Sequence, residues 1–128
     1  QLKTILVVED EEILREIFHD ELTDANYTIL LARNGAECFE LLDKNIDKLN
    51  LIIMDIKLPD ATGLEIIAKI RNKYTRRVPV MMCSAYDMLE DDYEIFTAKQ
   101  AGQVVDFIKK PVDLEVLRNQ VNKAIGPA

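Results

Sequence analysis

Apolar residues in this chain come in short unbroken blocks, and several blocks stop at a charged or hydroxyl-bearing residue. Ile5-Leu6-Val7-Val8 stops at Glu9-Asp10, Leu51-Ile52-Ile53-Met54 at Asp55, and Val80-Met81-Met82-Cys83 at Ser84. Val104-Val105-Asp106-Phe107-Ile108 stops at Lys109-Lys110-Pro111. Blocks without alternation predict strands covered on both faces, as in a parallel sheet between helices. A further strand is predicted over residues 27–31, where β-branched and aromatic side chains collect. The other strands are expected at 5–8, 51–55, about 78–83 and about 104–108, with Pro79 tolerable at a strand start.

Between the blocks the spacing turns helical. Ile13, Leu14, Ile17, Phe18 and Leu22 recur at one helical face, and Asp10, Glu11 and Glu12 favour its amino end. Asn34-Gly35 is a turn signal before a helix using Ala36, Phe39, Leu41 and Leu42. The loop Pro59-Asp60-Ala61-Thr62-Gly63 leads into a helix on Leu64, Ile66, Ile67 and Ile70. Residues 87–101 are acidic at first, with helical character, and Gly102 terminates them. Asp113 caps a final helix carrying Leu114, Val116, Leu117, Val121 and Ile125. Strands alternating with helices favour a right-handed, doubly wound α/β sheet, although spacing alone leaves the strand order open.

The length of 128 residues accommodates one domain, 1–128, and no repeat or linker interrupts it. A net charge of −7 disfavours nonspecific contact with nucleic acid or anionic membrane. No apolar run approaches the roughly 20 residues of a membrane span, and no signal peptide is visible. Cys38 and Cys83 lack metal-ligand spacing and read as reduced thiols of a cytoplasmic protein. The absence of an initial methionine reads as a domain cut from a larger polypeptide.

In doubly wound sheets, functional groups gather at the carboxyl ends of the strands, which brings Glu9, Asp10, Asp55, Ser84 and Lys110 towards one site. Crowded carboxylates repel, and a hard cation resolves the conflict; Mg²⁺ suits carboxylate, backbone and water oxygens and commonly engages phosphate. Lys110 would balance a phosphoryl oxygen, Ser84 would donate a hydrogen bond to another, and a carboxylate is itself a competent nucleophile. Any one of these charges is ordinarily a solvated strand end. The set together is harder to dismiss.

These elements resemble the receiver domain of two-component response regulators over about residues 3–124. Ile5-Leu6-Val7-Val8-Glu9-Asp10-Glu11 is similar to the family's first strand and acidic pair, and Ile53-Met54-Asp55-Ile56-Lys57-Leu58-Pro59-Asp60-Ala61-Thr62-Gly63 to its phosphoacceptor strand and loop. Cys83-Ser84-Ala85 matches the hydroxyl position, and Phe107-Ile108-Lys109-Lys110-Pro111 the lysine-proline element. The resemblance implies a five-stranded parallel sheet of flavodoxin-like topology, strand order 2-1-3-4-5. It implies a phosphorylation switch rather than an enzyme, with Asp55 accepting a phosphoryl group from a histidine kinase or histidine phosphotransfer protein. Mg²⁺ would be held by Asp10, Asp55 and the Lys57 backbone carbonyl, with Glu9 acting directly or through water.

In that resemblance Lys110 binds the phosphoryl group, Lys109 is solvated, and Ser84 closes onto the phosphoryl group while Phe107 turns into the vacated space. The switch would alter affinity for a downstream effector through the face made by the acidic segment, the fifth strand and the final helix. Phe107 as a plain half-buried strand aromatic is the plainer reading. Lys57 and Tyr86, two residues beyond Asp55 and Ser84, would screen the acyl phosphate from water. His19, the one histidine, falls beside the apolar stripe and reads as solvated.

Two features depart from the family's pattern. Glu9 stands where aspartate is more usual, and the segment between Ser84 and Lys110 is longer and unusually acidic. Two other readings compete. An aspartate-nucleophile phosphatase wants a second acid two residues after the nucleophile, and Lys57 stands there. A phosphorylation-silent interaction module on the same fold has no need of the complete acid, hydroxyl and lysine set.

Overall fold

The computed structural model describes residues 2–85, 100 and 102–128. The acidic segment expected to be helical, with Tyr86, lies outside the described residues. The elements are β1 (Thr4–Val8), α1 (Glu12–Asp24), β2 (Thr28–Ala32), α2 (Gly35–Asn45), a 3₁₀ turn (Ile46–Lys48) and β3 (Leu49–Asp55). They continue with α3 (Gly63–Lys73), β4 (Val80–Ala85), β5 (Asp106–Lys110) and α4 (Leu114–Ile125). The five strands pair in parallel in the order β2-β1-β3-β4-β5, the flavodoxin-like order.

Continuous apolar strands are explained by cover on both faces. Leu6, Val8, Ile52, Met54 and Met82 pack under Cys38 and Leu42 of α2 and Ile66, Ile67 and Ile70 of α3. Ile5, Val7, Ile53, Met81, Cys83 and Ile108 pack under Phe18 and Leu22 of α1 and Leu117 and Val121 of α4. The register of β1 against β3 slips between Thr4↔Leu49 and Ile5↔Leu51, leaving Asn50 as an extra residue. Its Oδ1 accepts the Thr4 amide at 2.9 Å. The slip explains how Leu49 joins the cluster opposite to that of Leu51, although two residues apart.

Helix ends are closed much as their residues suggest. Thr62 and Glu65 form a capping box on α3, and Asp113 Oδ1 accepts the Val116 amide at the start of α4. Asn34 proves to be a cap: its Oδ1 accepts the Glu37 amide at 2.8 Å, and Gly35 opens α2. Arg118 of α4 pairs with Glu21 of α1 at 2.8 Å. Cys38 and Cys83 are buried free thiols, and burial pushes each up to about 12. No helix among the described residues is long and apolar enough to cross a membrane.

Some boundaries and burial differ from expectation. β5 begins at Asp106 rather than 104, because the ladder starts at Met81↔Asp106, with Val105 before it donating its amide to the Val80 carbonyl. β4 and β5 run on to Ala85 and Lys110, since Ser84↔Lys109 and Ala85↔Lys110 remain paired. Ser84 and Lys110 therefore sit within strand ends rather than beyond them.

The apolar stripe of α1 also divides. Phe18 and Leu22 are buried, but Ile13 is 73% exposed and Ile17 is exposed too. The first turns of α1 lie beside the residues after β5: Glu11, Ile13, Leu14, Ile17, Lys110, Pro111 and Val112 line a groove of about 520 Å³. In α4, Val116 and Leu114 are likewise exposed rather than core.

Candidate functional site

β1 and β3 are neighbours with Val8 opposite Met54, so Glu9 and Asp55 leave adjacent strands side by side. Asp55 is paired with Cys83 on β4, and Lys110 of β5 with Ala85. Ser84 thus occupies the β4 position between the partners of Asp55 and Lys110. Parallel pairing alone brings these side chains to one end of the sheet.

The side chains then meet. The Lys110 ammonium donates to Asp55 Oδ2 at 2.7 Å, lies 2.9 Å from Glu9 Oε1 and stands 3.9 Å from Glu11 Oε1. Asp55 Oδ1 accepts the Lys57 amide at 3.1 Å, and Glu9 Oε2 accepts the Glu11 amide at 3.0 Å. Asp10 is exposed, and one carboxylate oxygen from each of Glu9, Asp10 and Asp55 lies within 4.8 Å of the others. Arg15 Nη1 donates to the carbonyls of both Glu9 and Asp10 at 2.8 Å, tying down the turn that carries them.

Burial makes this cluster electrostatically costly. Glu9 is 1% and Asp55 5% exposed, and Ser84 is buried with them. Glu9 is raised to about 7: burial is the largest cause, the Glu11 amide and Lys110 oppose it, and the nearby Asp55 charge adds to it. Burial works against the charge on Lys110, yet its hydrogen bond to Asp55 and the Glu9 carboxylate 2.9 Å away outweigh that and hold it above the ordinary lysine range. Although the ammonium is 2.9 Å from Glu9 Oε1, that buried oxygen receives no hydrogen bond of acceptable geometry. An oxygen-only donor set with an excess of negative charge and one poorly served lone pair suits a hard divalent cation.

The remaining residues singled out by sequence fall around this centre. Lys57 is exposed at the head of the β3–α3 loop, and Lys109 is exposed beside Lys110. Phe107 is half-buried, pairs with Met82, packs against the cluster under α2 and α3, and receives Gln120 Nε2 on its carbonyl at 2.6 Å. That placement accommodates both readings of Phe107. His19 is exposed on α1 next to Asp20 at 3.1 Å.

Sequence reading passed over two neighbours of the site. Gly63 brings its amide to the Ile56 carbonyl at 2.6 Å, and a Cβ there would stand 2.6 Å from the Asp55 carbonyl oxygen. Thr62-Gly63-Leu64-Glu65 carries the spacing of a capping box, which signals the helix start but not this close approach. Glu11 enters through Lys110, a tertiary contact with no local signature.

The fold agrees with that of the chain's relatives. The family described as "Response regulator receiver domain" matches residues 5–122. A cyclic di-GMP phosphodiesterase of Thermotoga maritima is 36% identical over 122 residues, covering 95% of this chain but 31% of the relative, so the chain spans about a third of that protein. The polar-differentiation response regulator DivK of Brucella anthropi is 28% identical over 98% of both chains. The crystal structure of the response regulator TrrA from Thermotoga maritima, in complex with Mg²⁺-BeF, superposes with a TM-score of 0.80 at 28% identity, over 96% of this chain and 99% of that one. With the sheet order, the clustered acids and lysine, and a family match over nearly its full length, the chain belongs to the response regulator receiver domain family.

Proposed function

We propose that this domain is a phosphorylation switch in which Asp55 accepts a phosphoryl group from a phosphohistidine of a histidine kinase or phosphotransfer protein, with Mg²⁺ present. The observation that carries the reading is the Lys110 ammonium at 2.7 Å from Asp55 Oδ2, among three clustered carboxylates. An Asp55 carboxylate oxygen attacks phosphorus, the new O–P bond forms, the P–N bond to the donor imidazole breaks, and the imidazole leaves with the electron pair. Charge grows on the transferred group's oxygens, so positioning and cationic stabilisation provide most of the rate.

Lys110 supplies one fixed positive charge, and the Ser84 hydroxyl a hydrogen-bond donor as the site closes. Glu9, Asp10, Asp55 and the Lys57 carbonyl would hold Mg²⁺, which when bound offsets the negative charge of acceptor and phosphoryl group together. The Mg²⁺-BeF bound to the related TrrA supports this ligand class.

In this reading a protein donor reaches the site across the groove lined by Ile13, Ile17 and Pro111 beside Lys110. Phosphorylation then alters affinity for an effector, with Ser84 and Phe107 carrying the change towards the β5–α4 face. The phosphodiesterase activity named for the Thermotoga relative belongs to a protein of which the matched part is 31%.

Incubation with Mg²⁺ and acetyl phosphate tests the reading by intact mass. A single phosphoryl adduct that disappears in Asp55→Asn, or on addition of EDTA, is the expected result. No adduct in the wild-type protein would instead assign the fold to a phosphorylation-silent interaction module. Continuous release of phosphate from a monoester would assign it to a phosphatase.

A further inference from the structure

The β3–α3 loop begins at the acceptor: Lys57 donates its amide to Asp55 Oδ1, and the loop closes on itself through the Lys57↔Thr62 bridge and the Leu58 amide to the Ala61 carbonyl at 3.1 Å. Its tip is fastened to another element. Asp60 Oδ1 accepts the Gly35 amide at 2.8 Å, and Asp60 Oδ2 accepts the Ala36 amide at 3.0 Å. With the Glu37 amide on Asn34 Oδ1 and the Cys38 amide on the Asn34 carbonyl, the first turn of α2 is fully satisfied. Two of its amides are served from 24 or more residues away.

We infer that Asp60 is a positioning residue for the Mg²⁺ site, clamping the loop that carries Lys57 to the amino end of α2. This rests on the proposed function, since Lys57 matters to the metal only there. The bonds are charge-assisted, and those backbone amides hold the Asp60 carboxyl below its usual range, so the clamp stays ionised across the physiological pH range. The anchor is rigid as well: α2 is seated through buried Cys38 and Leu42, and a Cβ on Gly35 would press on Ile66 of α3 at 3.0 Å. Releasing the tip removes both bonds that fasten the loop to α2, and leaves the Lys57 amide on Asp55 Oδ1 and the Lys57↔Thr62 bridge to hold the loop's base without that outside anchor. Loss of such a supporting partner commonly weakens metal binding without removing a ligand.

Asn34 provides the control, because Asn34→Ala removes a cap from the same helix turn and leaves the loop attached. Mg²⁺ affinity is measured by calorimetry at a temperature where every variant is folded by circular dichroism. Asp60→Ala is expected to weaken Mg²⁺ binding by roughly tenfold, and Asp60→Asn, which keeps one acceptor oxygen, by less. Asn34→Ala leaves the affinity unchanged. Amide spectra of the metal-free proteins should show the Lys57 resonance displaced in Asp60→Ala but not in Asn34→Ala. Equal affinities in wild type and Asp60→Ala, or an equal loss in Asn34→Ala, overturn the inference and leave the proposed function standing. Wild-type protein that takes up no Mg²⁺ overturns both.

Discussion

The Lys110 ammonium and the Asp55 carboxylate stand 2.7 Å apart although 55 residues separate them, and Glu9 Oε1 lies 2.9 Å from the same ammonium. Removing the cation leaves two buried acids facing each other. Lys110→Met should therefore cost about 1–3 kcal/mol, less than a fully desolvated pair because the lysine keeps some solvent contact. It should also slow acyl phosphate formation from acetyl phosphate by more than roughly tenfold. Urea unfolding and timed mass spectra measure the two effects. Asp55→Asn retains the Glu9–Lys110 pair and should unfold close to wild type while taking no phosphoryl group. A Lys110→Met protein phosphorylated at the wild-type rate would contradict the role given to the ammonium.

Glu9 predicts a dependence on pH in metal-free protein. Its carboxyl is raised from 4.5 to about 7, so the folded chain binds that proton more tightly than the unfolded chain. The stabilising contribution is fully present below about 4.5 and is lost as pH rises through about 7, at most about 1.4 kcal/mol per unit. The raised group on Lys110 acts only above the lysine range, and the lowered Asp60 carboxyl acts at the acid end. In EDTA, the urea midpoint should fall between pH 5 and 7, and Glu9→Gln should flatten that slope. Added Mg²⁺ should bind more tightly as pH rises over the same interval, because the ion competes with the Glu9 proton. A wild-type midpoint constant from pH 5 to 7 in EDTA would refute the assignment.

Legibility from sequence followed how local each cause is. Strand blocks ending at Glu9, Asp55 and Ser84 are local composition, and both-face burial explains why they lack alternation. The β2-β1-β3-β4-β5 order came through resemblance, since spacing contains no pairing information. Ile13 and Val116 match the helical period yet are exposed, because periodicity marks a face without saying whether a neighbour covers it. Val104 is buried but precedes β5, a matter of ladder register that burial pattern alone does not encode. Asp60 and Gly63 were invisible as site supports for the same reason: their partners, the α2 amides and the Asp55 carbonyl, arrive by tertiary folding.

Gly63 is a sharp test of that tertiary arrangement. A methyl group there meets the Asp55 carbonyl oxygen at 2.6 Å and Ile56 Cα at 3.3 Å, both backbone, while Met82 Cε at 2.7 Å is a flexible terminus able to move. Gly63→Ala should cost about 1–3 kcal/mol through overpacking. It should also reduce phosphorylation of Asp55, because relief requires the loop and the end of β3 to separate. Gly102→Ala is the comparison: its positive φ of 76° brings backbone strain, but a Cβ meets nothing within 4 Å among the described residues, so phosphorylation is expected to be spared. Gly63→Ala with unchanged stability and unchanged phosphorylation would show the loop yielding without consequence.

The exposed end of α1 yields the last prediction. Ile13 is 73% exposed beside Lys110 and Pro111, in a groove rimmed by Glu11, so it contributes little to the core and much to any surface laid over the site. Ile13→Ser should change stability by no more than about 0.5 kcal/mol, as expected of a surface position. If a protein donor reaches Asp55 over this groove, transfer from a phosphorylated histidine kinase or phosphotransfer protein should slow by roughly tenfold or more, as for a central apolar contact. Acetyl phosphate, which needs no docking surface, should react with the variant at the wild-type rate. Val116→Ser, at an exposed apolar position in a different groove on α4, should leave both reactions unchanged. Equal slowing with acetyl phosphate would place Ile13 in the chemistry rather than in docking. Undiminished transfer from the protein donor would move the docking surface elsewhere.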